Sequence, residues 1–195
     1  MTRAVFALAS AFALMASPAL AHTGFGPASG FVSGFGHPIG GLDHILAMVA
    51  VGVLAVQLGG RSVWLIPSTF VGMMVLGGVL GVAGVAMPFV EQGVAGSVVI
   101  LGVVVAVGRK LPVATAMTLV GALALFHGHA HGTEMPMNAV GVAYGAGFAL
   151  ATGLLHAFGI GLAVVAKKTA EKIAPVVLRL GGAAIAAAGL TLTVS

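Results

Sequence analysis

Long apolar runs, interrupted only by single or grouped charged residues, dominate this chain and limit what it can fold into. Of its 195 residues, 59% are hydrophobic and 6% are charged, whereas a typical soluble domain carries about 25% charged residues. So few charges cannot give every helix or strand a solvated face, which excludes the soluble globular, disordered and coiled-coil classes. The runs also lack the alternating polarity of a transmembrane β-barrel. We therefore predict an all-α, polytopic membrane helical bundle.

The charged residues and the absence of cysteine narrow the function classes further. The net charge of +4 comes from bases that lie singly or in small groups between apolar runs. That pattern is typical of membrane topology signals rather than of a nucleic-acid-binding face, so we expect a lipid bilayer and no nucleic acid as partner. Because the chain has no cysteine, any transition-metal site must use imidazole, carboxylate, thioether or backbone ligands.

The N-terminus has the pattern of a secretory signal peptide. Arg3 supplies the positive charge, residues 4–16 are apolar, Pro18 breaks the run, and Ala-Leu-Ala at 19–21 matches a small-x-small cleavage site. The alternative is an uncleaved first span, but the run is short and Pro18 lies where the helix would have to continue. We predict a cleavable signal peptide at 1–21 and a single transmembrane domain at 22–195, with His22 as the mature N-terminus.

Six membrane spans are predicted in the mature chain. A spanning helix needs about 20 apolar residues, and the candidates lie at 41–58, 63–85, 93–108, 112–126, 139–166 and 175–194. Lys and Arg occupy the first, third and fifth connections, at Arg61, Arg109-Lys110 and 167–172. The positive-inside rule places these connections in the cytoplasm. Both mature termini are then expected outside, in a multi-pass protein of the bacterial inner (cytoplasmic) membrane.

The first group of polar residues is His37, Asp43 and His44, next to the first span. Pro38 and the glycines at 40 and 41 disfavour a regular helix, so we expect His37 in a turn and the other two residues in the first helical turn. A carboxylate gains stability at a helix N-terminus, which explains Asp43 alone but not the flanking histidines. Upstream, repeated Gly-Phe pairs from residue 24 to residue 35 predict either a short interfacial or re-entrant helix or a loop.

The second group follows the fourth span. If the helix continues, His127, His131 and Glu134 lie at i, i+4 and i+7 on one face, with His129 roughly opposite. Two imidazoles at i and i+4 with a carboxylate are a common arrangement for holding a divalent metal ion. Gly128 and Gly132 disfavour a helix here, which leaves a polar outer loop as the alternative.

The predicted topology places both groups at the same, outer face of the membrane. Ionisable residues in spans are functional candidates, and nitrogen and oxygen ligands suit Ni, Co, Zn, Cu(II) or Fe(II). The predicted metal ligands are His37, Asp43, His44, His127, His131 and Glu134. Secondary candidates are His22, through its free amine and imidazole after cleavage, His129, and His156, which is either an inner relay or a hydrogen-bonded contact between helices.

These residues resemble the motifs of the HupE/UreJ family of small bacterial membrane proteins. The likeness rests on His37-Pro38 followed by Asp43-His44 and the apolar run after them, and on Phe-His-Gly at 126–128 followed by Ala-His-Gly and Glu134. The resemblance implies a nickel or cobalt permease, linked indirectly to the maturation of hydrogenase or urease. His129 is an additional histidine whose role the resemblance does not explain.

The sequence therefore predicts secondary uptake of a divalent transition metal, Ni²⁺ or Co²⁺, through a His/Asp/Glu site at the periplasmic side of the first and fourth spans. We expect the ion to be cargo, with no permanently bound cofactor and no enzymatic activity. The alternatives are an intramembrane metal-dependent hydrolase and a metal-binding sensor or accessory membrane protein. Against the hydrolase, Ser97 has no adjacent base that the sequence identifies.

Overall fold

The computed structural model describes residues 30–135 and 139–193, which form seven α-helices. The predicted signal peptide and His22 lie outside the described residues. The helices are α1 (Gly30–Gly40), α2 (Leu42–Leu58), α3 (Ser62–Val82), α4 (Val90–Val107), α5 (Val113–Thr133), α6 (Ala139–Thr169) and α7 (Ala174–Leu192). Five of them are long and apolar enough to cross a membrane, or six spans if α1 and α2 count as one bent span. The all-α membrane fold is confirmed.

The region around His37 differs from the prediction, because it is helical. α1 continues through His37 and Pro38 to Gly40, and the chain then turns by 78° into α2. Pro38 removes one helical hydrogen bond, the one to the Gly34 carbonyl, and the helix ends two residues later. The break is at Gly41, whose φ of −98° and ψ of 123° are extended. His37 therefore lies on a short helix that bends into the first long one.

The fourth predicted span is longer than expected. α5 runs through all three histidines at its C-terminal end and stops at Thr133, seven residues beyond the predicted end at Phe126. Gly128 and Gly132 do not break it, because they form its contact with α3: a Cβ on either one would collide with the backbone of that helix. Small residues allow such close backbone approach in lipid, so these glycines stabilise the helix pair rather than ending the helix.

α2 is the central helix of the bundle. Every residue from Leu46 to Val56 is buried, and the helix contacts α1, α3, α4, α6 and α7. Because this stretch is buried on all sides, it presents no stripe to solvent or lipid and lies in the interior of the bundle. Its N-terminal end therefore lies among the neighbouring helices, so residues there contact several helices at once.

The two ends of the bundle carry different charges. At the C-terminal end of α2, Lys167 Nζ donates to the Val56 carbonyl at 2.7 Å, and Arg179 Nε donates to the Ala106 carbonyl at 2.9 Å. Such contacts neutralise the negative ends of α2 and α4. We call this the basic end. The opposite end, which holds the start of α2 and the end of α5, is the histidine end.

Candidate metal site

Three histidines from three different helices meet at the histidine end. His37 comes from α1, His44 from α2 and His131 from α5, and one ligand-type nitrogen of each lies within 4.8 Å of the other two. The ring centroids are 4.4 Å apart for His37 and His131, 4.8 Å for His44 and His131, and 5.6 Å for His37 and His44. This group, which we call the outer triad, is the one set of three or more such side chains that converges closely enough to hold a metal ion among the described residues.

A hydrogen-bonded chain fixes how the rings present their nitrogens. His44 Nδ1 donates to Asp43 Oδ1 at 2.8 Å, because a carboxylate only accepts. The Nε2 atom of a neutral His44 then carries a lone pair. It accepts a hydrogen bond from His131 Nε2, which lies 2.7 Å away. Metal-binding histidines are commonly oriented by an acceptor on the other ring nitrogen, and Asp43 supplies that acceptor for His44.

The spacing of these two nitrogens is close to what a shared ion needs. An ion about 2.0–2.1 Å from each nitrogen requires a separation of about 2.9 Å at a right angle and about 3.3 Å at a tetrahedral angle. The observed 2.7 Å is therefore a few tenths of an ångström too short for a shared ion. For both Nε2 atoms to bind one ion, the proton of His131 moves to its Nδ1 and the rings separate slightly.

Aromatic side chains of α6 form the wall beside the outer triad. Phe148 is buried and its ring centroid lies 4.8 Å from that of His131 and 5.8 Å from those of His37 and His44. Tyr144 lies 6.2 Å from His37, one helical turn away on α6. A wall of this kind limits access of water and makes the imidazoles the principal polar groups available to an ion.

Gly41 fits closely beneath the Asp43–His44 pair. A Cβ at this position would lie 2.7 Å from Asp43 Oδ1 and 2.9 Å from His44 Nδ1. Both distances are shorter than a Cβ adopts, so a side chain at this position would displace the Asp43 carboxylate and the His44 ring. The hydrogen bond that orients His44 therefore depends on the small size of Gly41.

His127 lies next to the outer triad but does not belong to it. Its ring is fully buried, its centroid is 5.2 Å from that of His44, and its Nε2 is 2.7 Å from Ser97 Oγ on α4. Ser97 Oγ is also 2.6 Å from the Val94 carbonyl. The sequence did not identify His127 as a neighbour of Ser97, because only the packing of α4 against α5 brings these two residues together.

This contact does not produce an activated serine. A hydroxyl has one proton, and the Val94 carbonyl can only accept, so Ser97 donates to Val94 and His127 Nε2 donates to Ser97. A general base would need the reverse direction. Both side chains also have no solvent-accessible surface. The pair thus lacks the direction and the access that a nucleophile requires.

The remaining two histidines of the described residues lie away from the triad. His129 is on the other side of α5, where its Nε2 donates to the Val85 carbonyl at 2.6 Å, in the connection between α3 and α4. His156 is buried on α6, with its ring 5.1 Å from that of Phe70, and neither of its nitrogens has a hydrogen-bond partner among the described residues. His129 has the hydrogen-bonding geometry of a structural contact between segments, whereas His156 has no such partner.

The two predicted carboxylates have different positions. Asp43 contacts His44 rather than joining the group of mutually close ligand atoms. Glu134 is exposed just beyond the last residue of α5, and its charge interacts with Tyr144. The i+7 spacing placed Glu134 correctly at the histidine end, but the helix stops before it, which leaves its side chain exposed at that end.

Several residues at the site could not be found from the sequence. Ser97, Phe148 and Tyr144 lie within apolar spans without any motif, and only the packing of α4 and α6 brings them to the histidines. Phe70 likewise packs between His127 and His156, with centroid distances of 5.7 Å and 5.1 Å. A polar residue within an apolar span was the one available signal, and it applied to Ser97 alone.

Comparison with known proteins agrees with the resemblance. A family model described as HupE / UreJ protein matches residues 10–192. The chain is also 47% identical over 188 residues to Protein HupE of Rhizobium leguminosarum bv. viciae, an alignment that covers 96% of this chain and 97% of that protein. Comparison with solved structures gave no match.

Proposed function

Because the chain belongs to the HupE/UreJ family, we propose that it takes up a divalent transition-metal ion, Ni²⁺ or Co²⁺, across the bacterial inner membrane. The observation that carries this proposal is the convergence of His37, His44 and His131 within 4.8 Å at one end of a bundle of apolar helices. Neutral imidazole is a preferred ligand of these ions, and three helices acting together can exchange an ion that no single helix could hold.

Each residue at the histidine end has a role in this proposal. Glu134, exposed at this end, attracts the cation. The outer triad then replaces part of its water shell, and Asp43 holds His44 in the tautomer that offers Nε2. The basic residues at the opposite end support an outside position for the histidine end, since Lys and Arg are enriched on the cytoplasmic side.

The membrane potential can drive the transport. An inward-negative potential favours entry of a doubly charged ion by about 4.6 kcal/mol per 100 mV. The ion is cargo, and neither a permanent cofactor nor an enzymatic step is required. In the cell, the metal would reach hydrogenase or urease maturation indirectly, without a direct contact between those enzymes and this chain.

The direct test is metal uptake into proteoliposomes that contain this protein alone, with an inward-negative potential. We expect Ni²⁺ accumulation by the wild type and a loss of at least tenfold in His44→Ala and in His131→Ala. The matched control is His129→Gln, a change of a buried histidine on the opposite side of α5, which should accumulate the ion as the wild type does.

The same assay separates the alternatives. Binding without flux would support a metal sensor or accessory protein, and hydrolysis of a peptide or ester without flux would support a metal-dependent hydrolase. Wild-type accumulation in both triad variants would contradict the assignment of the site. A wild-type protein that shows no flux of Ni²⁺ or Co²⁺ would contradict the proposed function itself.

A further inference from the structure

His127 and His44 are oriented by different acceptors in opposite ways. His44 donates through Nδ1 to Asp43 and so offers Nε2, whereas His127 donates through Nε2 to Ser97 and so retains Nδ1 as its lone pair. The two rings lie edge to face with centroids 5.2 Å apart. Adjacent imidazoles, each held by an acceptor on one nitrogen, are the arrangement expected of neighbouring metal ligands.

The free nitrogen of His127 has an energetic cost. Its Nδ1 is buried and has no hydrogen-bond partner among the described residues. Leaving a buried acceptor unpaired is destabilising, and such groups in native proteins call for an explanation. Rotating the ring cannot remove the cost, because the bond to Ser97 already uses the other nitrogen.

The position of Ser97 favours this tautomer of His127. Its hydroxyl is bonded to the carbonyl three residues earlier on the same helix, at 2.6 Å, a local bond that serine commonly forms within helices. The hydroxyl proton of Ser97 is therefore used in the bond to the Val94 carbonyl. The Ser97 oxygen then accepts a hydrogen bond from His127 Nε2–H. Both residues are completely buried, so bulk water does not compete for either hydrogen bond.

A hydrogen bond donated by Nε2 and an unpaired, buried Nδ1 do not by themselves identify a metal ligand, because His129 has both. His129 also donates through Nε2 to an acceptor and also has a buried Nδ1 without a partner among the described residues. Its ring, however, contacts none of the other described histidine rings at the distances found in the triad, whereas His127 directly contacts His44. The contact with a triad member is what sets His127 apart from His129.

From these observations we propose a second ion position, deeper in the bundle than the outer triad, formed by His127 Nδ1 together with His44, with Ser97 as its positioning residue. This inference rests on the proposed function. His44 lies between the two positions, since its ring contacts both His131 and His127. The ion passes inward by exchanging His37 and His131 for His127 while His44 remains bound.

The test uses Co²⁺, whose visible absorption reports its ligands, and full-length protein in lipid nanodiscs. In the double variant His37→Ala/His131→Ala, which lacks two members of the outer triad, we expect residual Co²⁺ binding. Adding His127→Ala should abolish it. Adding Ser97→Ala should weaken it by about 10–100-fold, the usual effect of removing an outer-shell partner of a ligand.

Two controls keep the result from being explained by damage to the fold. Ser97→Thr keeps the hydroxyl and should restore binding, and Ser62→Ala removes another buried serine, at the start of α3, without effect. In an otherwise wild-type protein, Ser97→Ala should lower the maximal uptake rate about tenfold and leave the KM for Co²⁺ within twofold, because the outer triad is intact.

The results that would overturn the inference differ from those that would overturn the proposed function. If the wild type binds and transports Co²⁺ but the double variant binds none, there is no second position. If Ser97→Ala binds as tightly as its parent, Ser97 does not position His127. A wild type that neither binds nor transports the ion would instead contradict the proposed function.

Discussion

The Nε2 atoms of His44 and His131 lie 2.7 Å apart, although 87 positions separate the two residues in sequence. One stands in the first turn of the central helix and the other in the last turn of α5. The helices that meet at this contact also carry Asp43 and the inner His127, and α1 adds His37. This single contact therefore joins the two sequence motifs into one site.

Gly41 should control the metal affinity through the Asp43–His44 hydrogen bond. In Gly41→Ala the new Cβ would lie within 3 Å of both bonded atoms, although the extended backbone at Gly41 accepts alanine. We expect the affinity for Ni²⁺ to fall about tenfold, as measured by equilibrium binding to the purified protein.

The adjacent glycine provides a matched control. A Cβ at Gly40 has no described atom within 4 Å, so Gly40→Ala should bind Ni²⁺ within twofold of the wild type. Equal losses in both variants would mean that the bend between α1 and α2, rather than the pair of side chains above it, determines the affinity.

His156 should affect stability and transport in opposite directions. Its two ring nitrogens are buried without a partner among the described residues, and an apolar side chain of similar size removes that desolvation penalty, worth about 1–3 kcal/mol. We expect His156→Leu to raise the thermal unfolding midpoint and to lower the maximal rate of uptake. A stabilised variant with wild-type uptake would exclude His156 as an inner relay.

Glu134 should act by attracting the ion. It is exposed at the histidine end, so Glu134→Gln should raise the KM for Ni²⁺ several-fold with little change in the maximal rate. The effect should shrink at high salt, since exposed charges are screened beyond about 8–10 Å at moderate ionic strength. Measuring uptake as a function of Ni²⁺ concentration at several salt concentrations gives both the change in KM and its dependence on salt.

Glu171, in the connection that follows α6, is the matched control for this change. Because that connection belongs to the basic end, Glu171→Gln should leave the KM unchanged. A loss of maximal rate in Glu134→Gln at unchanged KM would instead indicate that the carboxylate is a direct ligand of the ion in transit.

The close contact between α3 and α5 should be sensitive to a single methyl group. A Cβ at Gly81 would lie 2.7 Å from the His129 carbonyl oxygen and 2.9 Å from the Thr133 nitrogen. Overpacking of this kind costs about 1–3 kcal/mol, so Gly81→Ala should lower the thermal midpoint in detergent.

On the same helix, Gly72 has no described atom within 4 Å of the position of a Cβ. Gly72→Ala should therefore retain or slightly raise the midpoint, because alanine favours helix over glycine. Similar destabilisation by both substitutions would show that helix α3, rather than its contact with α5, is the sensitive element.

The sequence predicted the all-helical fold and its long apolar helices, five or six of which can span a membrane, because these depend on local properties. Apolar runs of sufficient length identify spans, and the i, i+4 spacing correctly placed His127 and His131 on one face, with His129 opposite. It failed where tertiary packing overrides local preference. Gly128 is unfavourable in an isolated helix but is required where α5 meets the backbone of α3.

The division of roles among the site residues could not be predicted for the same reason. Asp43, His44 and His127 were equivalent candidates in the sequence, since each is a metal-ligand type near one membrane face. Only the folded bundle shows that Asp43 bonds to His44 and that His127 bonds to Ser97. These partners come from packing between helices or from local geometry, neither of which a motif records.

The most direct test of the account is the position of a bound ion in a crystal of the protein soaked with Ni²⁺ or Co²⁺, located by anomalous scattering. The account predicts a peak about 2.0–2.2 Å from His44 Nε2 and His131 Nε2, with a nitrogen of His37 as a third ligand. A bound ion coordinated away from His44, with the three imidazoles of the outer triad unligated, would contradict it.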